Sequence, residues 1–337
     1  MIGHRVLEDP RNELVFHFLR LLRELRPRYF VMENVPGMVT GGHRDLFDNF
    51  VARARALGYT IHHRVLNAAS FGVPQNRARV FIFGTAKGHR VAEPPEPVTA
   101  LRSVDGSIKA KTLLPPGPSV EDAIADLPDI DDFEELLERD ELVCSLPPAS
   151  EYASVLRGDV DDPGDYSYRR SRPEKILTGC LRAEHTKVSR DRFRATAQGE
   201  TEPISRFFRL PLQGVSNTLR SGTATDRGAF TSPRPIHPIY PRCISVREAA
   251  RIHSFPDWFW FHRTKWHGFR QIGNSVPPLL ARAVARQLIQ ALGVRPARPR
   301  RPLAEGAREL LRCVMSEAAR HFGVSPTVIA ARKRTNG

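Results

Sequence analysis

The chain has 337 residues, 41% of them hydrophobic, and a formal net charge of +14. That length allows two domains with a sizeable core, no apolar run reaches membrane-spanning length, and the opening MIGHRVLEDP is too charged for a signal peptide, which excludes a membrane protein and points to the cytoplasm. The basic excess calls for a polyanionic partner, most commonly nucleic acid, and the scattered Cys144, Cys180, Cys243 and Cys313 fit neither a disulfide framework nor a zinc site.

In chain order, Asp9-Pro10 reads as a helix N-cap with proline at the first helical position. Leu14, Phe18, Leu21, Leu22 and Leu25 then form one apolar helical face, which Pro27 ends. Tyr29–Met32 is a short apolar run with the character of a strand buried on both faces. It delivers Glu33 and Asn34 where the strand ends, and Pro36 and Gly37 turn the chain away. Ligands of open α/β sheets bind beyond the carboxyl ends of strands, so Glu33 is placed to handle protons on a substrate; the alternative is a carboxylate that caps the next turn. Arg44–Leu57 predicts a helix stopped by Gly58. Thr60–Asn67 and Arg79–Gly84 predict two strands, too close in sequence to pair except as a hairpin, so one antiparallel strand joins an otherwise parallel sheet.

From Glu93 the composition shifts, and a run of prolines from Pro94 to Pro118 marks entry into a second region. Glu121–Glu141 holds eleven acidic residues against one arginine, a pattern expected of a solvated helical face. Arg169–Arg209 is the reverse, with Phe193, Phe207 and Phe208 among its basic residues; it suits a phosphate-tracking surface or loops around a small β core. Residues 218–238 predict loop with short strands. Ser245-Val246-Arg247-Glu248 is a capping box that opens a helix over Val246–Ser254. Gln271–Pro278 predicts a tight polar turn, followed by a helix with Leu280, Val284, Leu288 and Leu292 on one face and Gly293 as its stop. Residues 295–302 form a basic linker, and 303–335 predict two short helices, the second from Ser325-Pro326.

Four stretches stand in a telling order: DPRNEL (9–14), Glu33-Asn34-Val35, GVPQNRARVFIFG (72–84), and REAARIHSFPD (247–257) with QIGNSVPP (271–278). Together they resemble the C5-cytosine DNA methyltransferases of bacterial restriction–modification systems, through an ENV motif, a QxRxR motif at Gln75, Arg77 and Arg79, and a GNSV motif at 273–276. The resemblance covers residues 1–90 and about 215–293. It implies an α/β fold in which this chain supplies the last three strands of a Rossmann-like methyltransferase sheet. Residues 1–90 would be a partial catalytic domain and 91–240 a smaller, irregular target-recognition domain. Residues 241–293 would return to the catalytic domain, and 294–337 would be a basic extension.

The chemistry the resemblance implies is thiolate addition at cytosine C6, methyl transfer from S-adenosylmethionine to C5, and loss of the C5 proton. The cytosine must be flipped out of duplex DNA to be reached. Glu33, protonated in a buried site, would serve N3 and the exocyclic amine. Arg79 would neutralise charge at O2, Arg77 would hold phosphate near the flipped nucleotide, and Gln75 and Asn34 would shape the pocket. The backbone around Leu14 and the Asn274-Ser275 turn would line the cofactor pocket.

Two family features are not found in this sequence. No cysteine follows a proline, as the attacking cysteine of the family does, and no glycine-rich Phe-x-Gly-x-Gly turn is present. The expectation is therefore an N-terminally truncated chain, inactive alone, whose missing motifs come from a second subunit, a mis-assigned start or a lost segment. Such a chain should show an unpaired edge on its buried strand. The alternatives are a non-catalytic, sequence-specific DNA-binding fragment or subunit and an RNA cytosine-5 methyltransferase.

Overall fold

The computed structural model describes residues 13–41, 44–108, 112–171, 176–222, 234–304 and 306–325. The cap expected at Asp9-Pro10 and the tail helix expected beyond Ser325 lie outside the described residues. Helix α1 (Glu13–Leu25) runs up to the break made by Pro27. Its buried side is Val15, Leu19 and Leu22, with Phe18 half-buried. Leu14, Leu21 and Leu25 are exposed, which corrects the expected face. The apolar arc of α1 is wider than one stripe, and the sheet takes the side that continues from Phe18 and Leu22 through Val15 and Leu19.

Strand β1 (Tyr29–Asn34) contains Glu33 and Asn34 as its last two residues, so both side chains are held by ladder geometry. A 3₁₀ turn at Pro36–Met38 leads to helix α2 (Arg44–Ala56), which ends before Gly58 at φ +92. Strands β2 (Tyr59–Asn67) and β3 (Ala78–Ala86) form the expected hairpin. The sheet order is β1-β3-β2, antiparallel at both junctions. The reversed strand is therefore the middle one, and among the described strands β1 pairs on one side alone.

Strand alternation gives the sheet two apolar faces. Phe30, Met32, Tyr59, Ile61, Val80 and Ile82 pack under α1 and α2. Leu66, Phe81 and Phe83, with Tyr29 and Val31 half-buried, face the other way. Phe30 lies opposite Gly84, and its ring fills the space of the absent side chain: a Cβ there would sit 1.9 Å from the ring.

The middle region has little regular structure. It contains α3 (Val120–Ile124), β4 (Glu141–Val143), α4 (Glu151–Arg157), β5 (Arg170–Ser171), β6 (Ile176–Thr178) and α5 (Lys187–Ala195), with β4 and β6 paired antiparallel. It shares one core with α6 (Val246–Ile252) and α7 (Lys265–Asn274), built on Ile124, Ile130, Leu136, Leu177, Ile244, Ala250 and Phe269 among others.

The acidic block is not a solvated helical face. Ile124, Leu127, Ile130 and Leu136 point inward, and several of its carboxylates neutralise buried arginines. Arg251 is fully buried, with Nε 2.6 Å from Asp257 and Nη1 3.1 Å from Asp126. Arg242 binds Asp129 at 2.8 Å and Glu248 at 2.9 Å. Arg247 donates to the Thr178 carbonyl and hydroxyl. The cause is the lack of secondary structure: buried loop carbonyls and carboxylates need donors, and guanidinium groups supply up to five each. The basic stretch 169–209 behaves similarly. Arg182 and Arg190 lie against Asp131, Arg209 donates to the carbonyls of Phe193, Thr196 and Pro238, and Phe193 is a core residue.

The capping box at Ser245 and Glu248 forms as expected, with the helix ending at Ile252. The tight turn expected over 271–278 is instead the last turn of α7, which the sequence reading missed: Gln271–Asn274 complete the helix, Ser275 caps it, and Val276-Pro277 lead on to the next helix. Helix α8 (Pro278–Leu292) packs Leu280, Val284 and Ala291 on the sheet face that carries Phe81 and Phe83, while Leu292 is exposed and Gly293 stops the helix at φ +68. The segment after it is no free linker. Arg298 binds Asp161 and the Asp162 carbonyl, β7 (Leu303–Ala304) pairs parallel with β5, and Arg308 binds Glu141 and caps the Trp260 ring at 4.6 Å. A short α9 (Met315–His321) follows. No helix among the described residues is long and apolar enough to cross a membrane.

Candidate active site

Glu33 and Arg79 meet at the carboxyl end of β1. Glu33 lies opposite Phe81 in the ladder, so Arg79, two residues earlier on β3, is its diagonal neighbour on the same face. The Arg79 Nε stands 3.0 Å from the Glu33 carboxylate, with the two side chains 15% and 33% exposed. A second Arg79 nitrogen, Nη1, donates to the Ala78 carbonyl at 2.7 Å. Burial pushes the Glu33 carboxyl above its usual range, and the charges of Arg79 and then Arg77 offset part of that push. Burial lowers Arg79, with Glu33 opposing. The result is a half-exposed carboxyl easier to protonate than an ordinary glutamate, beside a guanidinium that stays charged.

Arg77 is placed differently from expectation. It is 2% exposed, and its guanidinium donates to the carbonyls of Leu219 at 2.9 Å, Gly273 at 2.8 Å and Ser275 at 3.0 Å. Burial, with the charge of Arg79, brings it down to about 10, still cationic at neutral pH. Three backbone acceptors occupy this fork, so the contacts of Arg77 are with the protein's own frame. Arg77 ties the end of α7 to the start of β3. Gly273 also lets the loop after Leu219 lie against this helix end: a Cβ there would lie 2.4 Å from the Ser221 backbone nitrogen.

Gln75 is fully buried, with its amide nitrogen 2.9 Å from His253 Nδ1 and its amide oxygen accepting from Leu219 N at 3.2 Å. His253 Nε2 is 3.2 Å from the Ser275 carbonyl. The sequence offered one signal for His253, a lone histidine at the end of an apolar helix, and by itself that pattern marks a core residue. Asn34 accepts from Val35 N at 2.8 Å and so shapes the turn that leaves β1.

The expected cofactor residues are not equivalent. Asn274 presents an exposed carboxamide, whereas the Ser275 hydroxyl donates to Ile272 and its carbonyl is already bonded. Leu14 sits on the outer side of α1, 63% exposed, and belongs to none of the core clusters that the sheet contributes to. A cavity of about 1380 Å³ lies between residues 155–170 and α8, and Glu33 and Arg79 are not among its walls.

The cysteines belong elsewhere. Cys180 is in the middle-region core, Cys144 packs against it, and Cys243 lies with Phe193 and Ile236. Burial raises all three thiols, Cys243 to about 11, which keeps them protonated. Among the described residues no group of three His, Cys, Asp or Glu side chains could hold a metal ion.

A family model described as C-5 cytosine-specific DNA methylase matches residues 2–290. The chain is 51% identical over 336 residues to the type II methyltransferase M.XorII of Xanthomonas oryzae pv. oryzae, covering 99% of this chain and 75% of that protein. It is 34% identical to the type II methyltransferase M.AgeI of Thalassovita gelatinovora, over 86% and 80% of the two chains. A solved E. coli structure, a DNA modification methyltransferase encoded within a prophage, superposes with a TM-score of 0.63 at 30% identity, covering 85% of this chain and 75% of that one.

Proposed function

We propose the following chemistry for this chain, which belongs to the C-5 cytosine-specific DNA methylase family and takes its methyl group from S-adenosylmethionine. Glu33 and Arg79 bracket a cytosine flipped from duplex DNA. The Glu33 carboxyl, in its protonated form, donates to N3 as charge builds there and accepts from the exocyclic amine. The Arg79 Nη2, beside the engaged Nε and Nη1, is the donor left for O2. Asn34 fixes the turn that leaves the carboxyl at the strand end, and Gln75 and Arg77 hold the frame rather than the substrate. The observation that carries this reading is the Glu33–Arg79 pair at 3.0 Å, half-buried at the carboxyl end of a sheet strand.

S-adenosylmethionine supplies an electrophilic methyl group when bound. The residues present fit part of such a site: the Asn274 carboxamide offers one donor and one acceptor, exposed on the turn that Arg77 anchors. Leu14 and the Ser275 backbone have weaker claims, the first by its outward position and the second because its carbonyl is engaged.

The attacking sulfur, in this reading, comes from none of Cys144, Cys180, Cys243 and Cys313, since the three with raised thiols sit in other cores and Cys313 lies in the segment after α8. Polypeptide that brings it would also pair with the outer edge of β1. Residues 1–90 and 241–293 carry the chemistry, 91–240 recognise the DNA sequence, and 294–337 are an extension. The test is labelled methyl incorporation into duplex DNA. The purified chain alone is expected to give none, and the chain co-expressed with the quarter of M.XorII outside the match is expected to methylate cytosine C5. In that complemented enzyme, Glu33→Gln should lower kcat by roughly 10²–10⁴-fold with little change in DNA affinity. Robust incorporation by the isolated chain, or an unaffected kcat in the glutamine variant, defeats the reading.

A further inference from the structure

We propose that His253 is a positioning residue, a neutral imidazole that couples Gln75 to the Ser275 carbonyl and so fixes the 273–275 turn against the start of β3. The protonation pattern follows from the neighbours. The Leu219 amide, 3.2 Å from the Gln75 side-chain oxygen, fixes the orientation of that amide. The Gln75 amide nitrogen, 2.9 Å from His253 Nδ1, can act only as a donor, so Nδ1 carries the lone pair. The ring hydrogen is then on Nε2 and donates to the Ser275 carbonyl at 3.2 Å. A second donor, Arg77 Nη2 at 3.0 Å, saturates that carbonyl.

The opposite tautomer would set a donor against a donor at Gln75 and a lone pair against an acceptor at Ser275, and a flipped ring would present carbon edges to both. Phe255 lies parallel to it at 5.8 Å and closes one face, and the residue is 0% exposed. One side chain thus joins three segments distant in sequence. Two of them matter to the site: Arg77 is two residues before Arg79 on β3, and the turn bears Asn274. The role of the turn toward the cofactor rests on the function proposed above, whereas the coupling itself does not.

A glutamine at 253 presents an acceptor and a donor at the end of its side chain much as the imidazole does, and a leucine presents neither. Backbone hydrogen exchange over residues 272–276 of the full chain separates the cases. His253→Leu is expected to speed exchange about tenfold, the loss of one to two buried hydrogen bonds, while His253→Gln stays within about threefold of wild type. Equal exchange in both variants, slow or fast, overturns the proposal, because packing alone would then account for the residue. Should the leucine variant fail to fold, ring ¹⁵N shifts of wild-type His253 decide: a hydrogen on Nε2 supports the coupling and one on Nδ1 refutes it. In the complemented enzyme, His253→Leu should weaken S-adenosylmethionine binding about tenfold, with DNA affinity unchanged. Unaltered cofactor affinity alongside fast exchange would leave the coupling standing and remove the turn from the cofactor site.

Discussion

The sheet lobe and the middle region solve the same problem by opposite means. Around β1, β2 and β3 the ladder satisfies the backbone, so the space on either side can be filled by Phe30, Met32, Phe81, Ile82 and Phe83 with hardly a charge among them. Between residues 91 and 240 the strands are two or three residues long, and loop carbonyls are buried without a ladder. Arg242, Arg247 and Arg251, each at most 1% exposed, reach in from the segment that follows and hold the loops by their guanidinium groups. The difference teaches where charge belongs in this protein. In the lobe it is kept out of the packed faces, at the Glu33–Arg79 pair and on the exposed side of β2 at Arg64; in the middle region it is the framework itself.

The largest break in that contrast should come from Arg251→Met. It would leave Asp126 and Asp257 in the core with longer contacts alone, to Arg157 at 3.4 Å and Arg247 at 3.5 Å, at a cost of about 3–5 kcal/mol, and urea denaturation followed by probes in the middle region should detect it. A loss below about 1 kcal/mol would show that the pairing is dispensable.

On the other side of the comparison, Gly84→Ala drives a methyl into the Phe30 ring and should destabilise the sheet lobe by roughly 1–3 kcal/mol. Pairing it with Phe30→Leu should return part of the loss, since the added methyl would then meet a smaller neighbour.

A graded effect is set by pH. His237 is pushed down to about 4 and His253 to about 3, chiefly by burial, against 6.5 for a free histidine. Arg77 and Arg79 add to the depression at His253; Glu248 opposes it at His237, where Arg242 and Arg209 add to it. The unfolded chain therefore binds protons first. Stability is full above about pH 6.5 and falls as pH drops toward 4, by at most about 1.4 kcal/mol per pH unit for each histidine. Glu248, held near 2 mainly by Arg242, adds a loss only below about 4.5. Denaturant midpoints from pH 7 to 5 should decline in wild type and decline less in His237→Gln.

How much of this was legible depends on how far apart the partners are. Local patterns gave the hairpin, the capping box at Ser245 and the stops at Gly58 and Gly293, because each is written within a few residues. The seam of α1 was read part of a turn out, since a helix with a broad apolar arc does not say which side the sheet will take. Helix α7 escaped because two glycines and mixed aromatic residues blur its period. The acidic block was read as surface, for its partners lie up to 167 residues away in the sequence. Of the candidate site, the structure pairs Glu33 with Arg79 across two neighbouring strands. The task of Arg77 was invisible, because its three acceptors are backbone carbonyls 142 to 198 residues away, and carbonyls leave no trace in residue identity.

The central place of β3 has a kinetic consequence. Closing the hairpin with β2 spans only the short connection between Asn67 and Ala78, whereas β1 must return across everything from Asn34 onward. The hairpin is thus the natural nucleus, and β1 is the later arrival. Glu33 reaches Arg79 only in that last docking event, so the ion pair comes into being when assembly of the sheet is nearly finished.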